Sequence, residues 1–241
     1  MSLNGKRVLI TGAARRIGRS LALAVAQAGG DVVIHYRQSQ GEAESAQKEI
    51  EMLGRKAILL QADLADPEQA ADLIQRATAY GPLYALVNNA AIFEPLTWAN
   101  TRLEDWDRHL AVNLTAPFLL SQAFARGLPP GETGRIVNLL DWRTLRPGPD
   151  HLPYTVSKSA LAALTCSLAA ALAPQVAVNG LALGAVLPPA QGAASSRILE
   201  NVPAARWASL DEVNQALLFL LDGPAYLTGE ILQLDGGRHL I

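Results

Sequence analysis

The stretch Thr11-Gly-Ala-Ala-Arg-Arg-Ile-Gly18 ends a short apolar run at 7–11 and opens a segment at 19–28 with a helical pattern. Its two glycines, Gly12 and Gly18, lie in the turn between the predicted strand and helix. Glycines there let the backbone approach a pyrophosphate, which the helix N-terminus attracts through unpaired N–H groups and its dipole. An ordinary tight turn would look the same in isolation, but this is the first strand-to-helix turn of an alternating chain. The stretch therefore predicts a dinucleotide-phosphate loop.

Short apolar runs alternate with amphipathic segments along the 241 residues, and each run predicts a strand. The runs are 7–11, 31–36, 57–61, 83–88, 135–140, 176–181 and 230–234. Helix-start signals lie between them: Asp66 precedes Pro67, and Thr101 and Ser209 each begin a capping-box spacing. Such alternation predicts one α/β domain, 1–241, with a doubly wound parallel sheet, helices on both faces and right-handed crossovers. The Ala-, Pro- and Gly-rich segment 184–196 predicts a mobile substrate loop near 184–200.

Composition excludes several classes of protein. Twenty Lys and Arg against 22 Asp and Glu give a net charge of −2 without a basic run, so we expect no nucleic-acid partner. Cys166 is the single cysteine, and His109 and His151 lack ligand-spaced companions, so we expect neither disulfides nor a metal site. The start has no long apolar signal region, and the longest apolar stretch, 160–173, is too short for a bilayer. We therefore expect a cytoplasmic protein without a membrane partner.

The second predicted strand indicates which nicotinamide cofactor is used. An acidic residue at its end would bind an adenosine 2′-hydroxyl, but Asp31 opens the strand instead. His35, Arg37 and Ser39 offer donors to a 2′-phosphate, and Arg15 or Arg16 adds charge. The alternative is that these polar residues are a solvated strand end. Asp63 is placed to contact the adenine, or is only a loop residue beside Asp66. The pattern favours NADPH over NADH.

Tyr154-Thr-Val-Ser-Lys158 follows Pro153 at a predicted helix start. The i,i+4 spacing puts the phenol and the ammonium on one helix face. A lysine charge within about 5 Å would favour phenolate and move the tyrosine pKa toward neutral pH. Leu161, Leu164, Leu168 and Leu172 continue the same stripe, which predicts a face packed on the sheet. An isolated Tyr/Lys pair of this spacing is otherwise a common surface feature.

Together these motifs resemble the short-chain dehydrogenases/reductases over essentially the whole chain. The matching residues are Thr11-Gly12 through Gly18, Asp63, Asn88-Asn89-Ala90, Asn113, Tyr154 with Lys158, Val178-Asn179-Gly180 and Asp235-Gly236-Gly237. The resemblance implies a single-domain Rossmann-type fold, a Tyr154 proton donor and a Lys158 that also holds the nicotinamide ribose. It implies that Asn113 supports a water relay to Lys158, that Asn88 and Ala90 line the cofactor, and that the protein is a dimer or homotetramer.

The residues expected to bind NADPH or NADP⁺ on this basis are Gly12, Arg15, Arg16, Ile17, Gly18, His35, Tyr36, Arg37, Ser39, Asp63, Leu64, Asn89, Ala90, Ala91, Tyr154, Lys158 and Gly184.

Three departures from the general family pattern are informative. Arg16 replaces the middle glycine of the phosphate loop, Asp141 replaces the usual catalytic serine, and Leu183 replaces a proline. The first two look like the pteridine reductases, including the bacterial dihydromonapterin reductase type. Further similarities are His35-Tyr36 with Ser39, Phe93, and the tail Leu234-Asp-Gly-Gly-Arg-His-Leu240.

This similarity implies a pterin substrate bound by Arg16, Phe93, Asp141 and Tyr154. Phe93 would stack on the flat ring, Arg16 would face its carbonyl or a cofactor phosphate, and Asp141 would relay a proton through Tyr154 to a ring nitrogen. The alternatives are that Asp141 only pairs with Arg143 and that Phe93 is ordinary loop packing. The competing functions are a carbonyl reductase such as 3-oxoacyl-[acyl-carrier-protein] reductase, and a dinucleotide-sensing protein without turnover.

Overall fold

The computed structural model describes residues 2–187 and 197–241. Its strands are β1 (Arg7–Ile10), β2 (Asp31–Tyr36), β3 (Ala57–Gln61), β4 (Ala85–Asn88), β5 (Gly134–Asp141), β6 (Val176–Leu183) and β7 (Ile231–Leu234). They form one parallel sheet in the order β3-β2-β1-β4-β5-β6-β7. All seven predicted strands are confirmed. The largest differences are two residues: β4 starts two residues later, and β6 runs two residues further and pairs Leu183 with both Asp141 and Leu234.

Helices cover both faces of this sheet. They are α1 (Arg16–Gln27), α2 (Gln40–Met52), α3 (Pro67–Thr78), α4 (Leu103–Leu110), α5 (Ala116–Arg126), α6 (Leu152–Leu172), α7 (Arg197–Glu200) and α8 (Leu210–Asp222). Helices α1, α2 and α8 enclose one apolar core, and α3, α5 and α6 enclose the other. Within β1, Val8 and Ile10 face the first core while Leu9 faces the second, as a strand buried on both sides requires. The predicted Rossmann-type, doubly wound α/β fold is confirmed.

One connection departs from the expected handedness. The chain moves from β1 to β2 and β3 with its helices on the α1 face, and back through β4, β5 and β6 with its helices on the α6 face. The step from β6 to β7 continues in the second direction, yet α8 packs beside α1 on the first face. That crossover is therefore left-handed. The exception is possible because the α8 leucines bury against α1 and β6 rather than against α6.

The helix starts follow the sequence signals with two exceptions. Asp66 caps α3, and Ser209 and Glu212 form the capping box of α8, as predicted. Helix α1 starts at Arg16, three residues earlier than expected. Helix α4 starts at Leu103, and Asp105 accepts the backbone N–H of Arg102. Thr101 is not the cap because its hydroxyl donates to the Thr97 carbonyl at 2.6 Å.

Helices α4 and α5 are joined by a π-helical turn, Ala111–Thr115. Pro117 explains this widening, because it has no N–H to donate to the carbonyl of Asn113 four residues earlier. Wide turns of this kind often occur at functional sites. Here the turn carries Asn113, whose side chain is completely buried.

Helix α6 is long and apolar enough to cross a bilayer by length and composition, the only such helix among residues 2–187 and 197–241. In the fold it packs on β5 and β6. Its buried stripe is Tyr154, Lys158, Leu161, Thr165 and Ala169, whereas the predicted Leu164, Leu168 and Leu172 are only partly buried.

The predicted loop near 184–200 lies only partly within the described residues. Residues 184–187 and α7 are described, and 188–196 lie outside the described part of the chain. Strand β6 ends at the carboxyl edge of the sheet, and α8 starts at the same edge because the helices run antiparallel to the strands. Both ends of this connection therefore lie at the edge where doubly wound folds bind ligands.

Candidate active site

The turn after β1 has no room for side chains at its two glycines. Gly12 has a φ of +64°, and a Cβ there would lie 3.1 Å from Cα of Ala90. A Cβ on Gly18 would collide with the Gly12 carbonyl oxygen. The backbone at the N-terminus of α1 is thus open to an approaching pyrophosphate, and the residues fit a dinucleotide cofactor.

A second segment, just after β4, holds this turn in place. The backbone N–H groups of Asn89 and Ala90 both donate to Thr11 Oγ1 at 2.9 Å. The Asn89 amide donates back to the carbonyls of Thr11 and Gly12 at 2.8 and 3.2 Å. The Asn89 side chain therefore shapes the phosphate turn from behind. Thr11 was not among the predicted site residues. Its hydroxyl at the end of the predicted strand, directly before Gly12, could have indicated this role.

Arg16 occupies the left-handed region, with a φ of +52°. This is the backbone conformation that glycine adopts readily and L-residues avoid, at a cost of about 1–3 kcal/mol. The substitution at the middle-glycine position thus keeps the glycine geometry and adds a guanidinium. Arg15 and Arg16 are both exposed at the start of α1. Arg15 lies 3.7 Å from Glu42 in the first turn of α2.

The expectation that His35 donates to a 2′-phosphate is wrong. His35 is buried in β2, where Nδ1 accepts the N–H of Gly12 at 3.0 Å and Nε2 faces the Ala62 carbonyl at 3.1 Å. Burial lowers the pKa of His35 to about 4, so the ring is neutral near pH 7 with its proton on Nε2. Its role is to fix the phosphate turn. Strand alternation places His35 on the same face as the core residue Val33, which was the sequence signal for burial.

The other two residues of β2 and its end that were expected to bind a 2′-phosphate, Arg37 and Ser39, lie just beyond the strand. Arg37 is exposed directly after the strand, and Ser39 precedes the first residue of α2 without capping it. Tyr36 is partly buried against the first core. Arg37 and Ser39 therefore lie beside a helix N-terminus, where negative charge is favoured.

Several other predicted cofactor residues have internal contacts. Asp63 accepts the N–H of Ala65 at 3.0 Å, and Leu64 is buried in the second core. A Cβ on Gly184 would lie 2.6 Å from Cα of Asp235, so this glycine is required by close packing. The expectation that the Asn88 side chain lines the cofactor is wrong, because its amide is buried and donates to Asn138 at 2.8 Å. Ile17 packs on the first core, while Ala90 and Ala91 remain partly or fully exposed.

Tyr154, Asp141 and Lys158 meet where β5 ends and α6 begins. Tyr154 Oη donates to Asp141 Oδ2 at 3.1 Å, and Lys158 Nζ donates to the Leu139 carbonyl at 2.6 Å. Arg143 contacts the other side of Asp141, with its N–H on Oδ1 at 2.9 Å and Nη1 at 3.5 Å. The sequence predicted two alternative partners for Asp141, Tyr154 and Arg143. Asp141 contacts both of them.

The pKa of Tyr154 moves in the direction opposite to the sequence expectation. Burial raises it well above 10, and the charge and hydrogen bond of Asp141 raise it further. Burial lowers the pKa of Lys158 to about 8, and its Nζ lies 5.9 Å from the centroid of the Tyr154 ring. Tyr154 is therefore a neutral phenol that donates to a carboxylate. The expected phenolate is disfavoured first by burial and then by the carboxylate that stands in place of the family's serine.

Asn113 connects the π-helical turn to the site. Its Oδ1 accepts the N–H of Ile92 at 2.9 Å, and its Nδ2 contacts the Ile92 carbonyl and Ser157 Oγ at 3.1 and 3.0 Å. Ser157, another residue not predicted, donates to the Tyr154 carbonyl at 2.7 Å. The side chain of Asn113 thus clamps the segment that carries Phe93 to the helix that carries Tyr154.

Phe93 lies beside Tyr154, with ring centroids 4.7 Å apart in an edge-to-face arrangement. His151 stacks on Phe93 with centroids 4.0 Å apart and an interplanar angle of 9°. The Phe93 side chain is about half exposed. His151, for which the sequence predicted no role in the site, thus covers one face of the Phe93 ring. The available signal was its position immediately before the Tyr154 helix.

Among residues 2–187 and 197–241, no group of three His, Cys, Asp or Glu side chains could hold a metal ion.

Residues 6–198 match the family model described as short chain dehydrogenase. The chain belongs to this family. It is therefore an oxidoreductase of a family that uses nicotinamide cofactors. A 3-oxoacyl-[acyl-carrier-protein] reductase from Synechocystis is 32% identical, and the match covers 98% of both chains.

Two solved structures are also similar to this short-chain dehydrogenase. The FolM alternative dihydrofolate reductase 1 from Brucella canis, complexed with NADP, is 35% identical and has a TM-score of 0.92 over 100% of this chain and 97% of that one. A short chain dehydrogenase from Burkholderia cenocepacia, also in complex with NADP, is 37% identical with a TM-score of 0.93 over 99% of both chains.

The buried His35 makes the stability of the fold depend on pH. Its pKa is 6.5 without perturbation and about 4 in the fold, so protons bind preferentially to the unfolded chain. The His35 contribution is complete above pH 6.5 and falls as the pH drops from 6.5 to 4, by about 3 kcal/mol. We expect His35→Gln, which cannot titrate, to be less stable at pH 8 but to lose less stability over this interval. Urea unfolding at several pH values measures both slopes. Parallel slopes would contradict the buried neutral ring.

Proposed function

We propose that the protein is an NADPH-dependent pterin reductase that converts a dihydropterin to its tetrahydro form. The observation that carries this proposal is the hydrogen bond from Tyr154 Oη to Asp141 Oδ2, 3.1 Å long, beside Phe93. Reduction of a ring C=N bond adds hydride to carbon and a proton to nitrogen. A carboxyl group coupled to a phenol suits that proton delivery, whereas a ketone reducer needs only a neutral donor to the carbonyl oxygen.

The raised pKa of Tyr154 sets the order of proton transfer. A phenol beside a carboxylate does not release its proton to leave a phenolate, because two negative charges would share a buried site. Tyr154 therefore gives its proton to the ring nitrogen only as a second proton reaches Tyr154 Oη, and Asp141 is the group placed to relay that proton from solvent. When bound, the dihydronicotinamide supplies the hydride. Lys158 would hold the nicotinamide ribose. The buried Asn113 would support a water relay to Lys158.

Phe93 provides the aromatic surface of the proposed pterin site. One face is stacked on His151, so the ring is held in a fixed orientation and presents its remaining surface to the substrate. Stacking of this kind contributes about 1 kcal/mol beyond burial. Arg16, held on the phosphate turn, would face the pterin carbonyl or a cofactor phosphate.

The protein is proposed to be a cytoplasmic homodimer or homotetramer. The exposed side of α6 carries Val156, Ala163, Cys166 and Ala170, and Phe118 is exposed on α5. Small and apolar residues on adjoining exposed helices allow close approach of a second copy. Ser159, a further small residue on that side, is only partly exposed.

A carbonyl reductase remains the second candidate, because the Synechocystis relative is a 3-oxoacyl-[acyl-carrier-protein] reductase. We expect the protein to oxidise NADPH in the presence of a 7,8-dihydropterin and to leave a 3-oxoacyl thioester largely unreduced. Absorbance at the NADPH band measures both rates under the same conditions. Efficient thioester reduction without dihydropterin turnover at any pH would replace the pterin proposal by the carbonyl one.

Asp141→Ser separates the two chemistries. We expect dihydropterin turnover to fall about a hundredfold or more, the usual contribution of a general acid, with NADPH affinity nearly unchanged. Asp150→Asn is the matched control, because Asp150 contacts Arg143 and His151 but not Tyr154. Steady-state kinetics and cofactor titration measure the two quantities. If both variants lose the same fraction of activity, Asp141 acts only as an ion-pair partner.

Arg37 tests the cofactor preference. Since β2 is followed by Arg37 and Ser39 rather than an acid, we expect NADPH to bind at least about tenfold more tightly than NADH, or 1.4 kcal/mol. Arg37→Asp should remove or reverse this preference. Arg126→Asp makes the same charge change at the exposed end of α5, at the opposite edge of the sheet, and should preserve it. Equal affinities of the unmodified protein for both cofactors would refute the assignment.

A further inference from the structure

A cavity of about 300 Å³ lies beside the proton-donating pair. It is bordered by Trp142, Arg146, Gly148, Asn201, Arg238 and Ile241. Trp142 directly follows Asp141 in sequence, and Arg238 interacts electrostatically with Asp141, so the cavity lies next to the candidate active site. Its size matches the lower end of small-molecule sites and exceeds what a few waters need. It therefore has room for a substituent of a bound ring.

Arg238 is the feature of this cavity that needs an explanation. Its guanidinium stacks on the Trp142 ring, with Cζ 4.0 Å from the centroid, and its buried Nε has no hydrogen-bond partner among the described residues. Within residues 2–187 and 197–241, Arg238 has no carboxylate within 4 Å. A partly buried, unpaired cation is costly, and burial lowers the pKa of Arg238. Stacking on Trp142 also fixes the planar fork before any ligand arrives.

The neighbouring charges show which cations are available. Arg143 is committed to Asp141 at 3.5 Å and to Asp150 at 3.1 Å. Asp235, the acid nearest in sequence to Arg238, is buried and held by His239 at 2.8 Å. Arg146 is exposed at the rim and, within the described residues, makes no ion pair. Two guanidinium groups, Arg238 and Arg146, thus face a cavity whose nearby carboxylates are already engaged.

We propose that this cavity binds an anionic tail of the substrate, a carboxylate or phosphate carried by the substituent of the pterin ring. Arg238 holds the oxyanion through its planar donors, Arg146 adds charge at the rim, and Trp142 keeps Arg238 in place. The inference rests on the proposed pterin reductase function and extends it to a substrate class. Pterins with acidic tails should therefore be better substrates than pterins with neutral tails.

The first test compares three substrates: dihydrofolate with two tail carboxylates, a phosphate ester of dihydroneopterin, and the neutral 6-hydroxymethyl-7,8-dihydropterin. For Arg238→Met we expect kcat/KM to fall about tenfold or more on an acidic-tailed substrate, mainly through KM, because a charged hydrogen bond is lost. Activity on the neutral substrate should stay within about twofold. A loss confined to dihydrofolate assigns the site to carboxylates, and a loss confined to the ester assigns it to phosphate. An equal loss on all three substrates overturns the proposal.

Two further variants guard against misfolding and general charge effects. Arg146→Met changes an exposed residue and should weaken only the acidic-tailed substrates, by a smaller factor than Arg238→Met. Arg126→Met removes the same charge at the opposite edge of the sheet and should change none of them. If Arg126→Met mimics Arg146→Met, the effect is one of net charge and the cavity is not the site.

A binding experiment separates failure of the tail site from failure of the pterin proposal. Calorimetric titration of the NADP-loaded protein uses p-aminobenzoyl-L-glutamate and inorganic phosphate, which carry the tail anions without the pterin ring. Binding of either probe that is lost in Arg238→Met supports the cavity, even if no dihydropterin is reduced. Absence of binding, or binding unchanged in Arg238→Met, overturns it, even if dihydropterins are good substrates.

Discussion

Parallel pairing at the centre of the sheet is the constraint on which this molecule depends. Because β1, β4 and β5 run side by side in the same direction, their carboxyl ends meet at one edge. That edge brings the Gly12 turn, the Asn89 segment and Asp141 together from three distant parts of the sequence. The hydrogen bonds from Asn89 and Ala90 to Thr11 then convert neighbouring loop ends into one rigid phosphate turn.

Placing an acid at position 141 changes the electrostatics of the Tyr/Lys pair. With a neutral serine in that position, the Arg143 charge that lowers the pKa of Tyr154 would act without the carboxylate that raises it. Here Asp141 Oδ2 accepts a hydrogen bond from the Tyr154 hydroxyl at 3.1 Å. Burial together with this carboxylate raises the pKa of Tyr154. Arg143 balances the carboxylate from the other side, so the buried charge is paired and not isolated. The site is arranged to move a proton between two groups, and this is why we favour reduction of a ring C=N bond.

Two stacked pairs of side chains border the proposed substrate side of the site: one is aromatic, and the other joins a guanidinium to an indole ring. His151 stacks on Phe93, and Arg238 stacks on Trp142, on the two sides of the Asp141 and Arg143 pair. Each stack fixes a group that would otherwise be mobile at the surface, which lowers the entropy lost when a ligand binds. A flat ring with a charged tail, the proposed substrate, would use both pairs.

The sequence by itself determined the seven strands, most helix starts, the glycine turn after β1 and the placement of Asp141 and Tyr154 at the carboxyl edge. These follow from periodicity, capping and glycine placement, which act over a few residues and are set by local backbone geometry. It did not determine that His35 is neutral and holds the Gly12 turn, that α8 crosses with left-handed topology, that Tyr154 has a raised pKa, or that Arg238 stacks on Trp142 beside a cavity. Those outcomes depend on atoms far apart in the chain, such as Gly12 with His35 and Trp142 with Arg238. Only the tertiary structure decides them, because burial and charge pairing depend on which groups share the same volume.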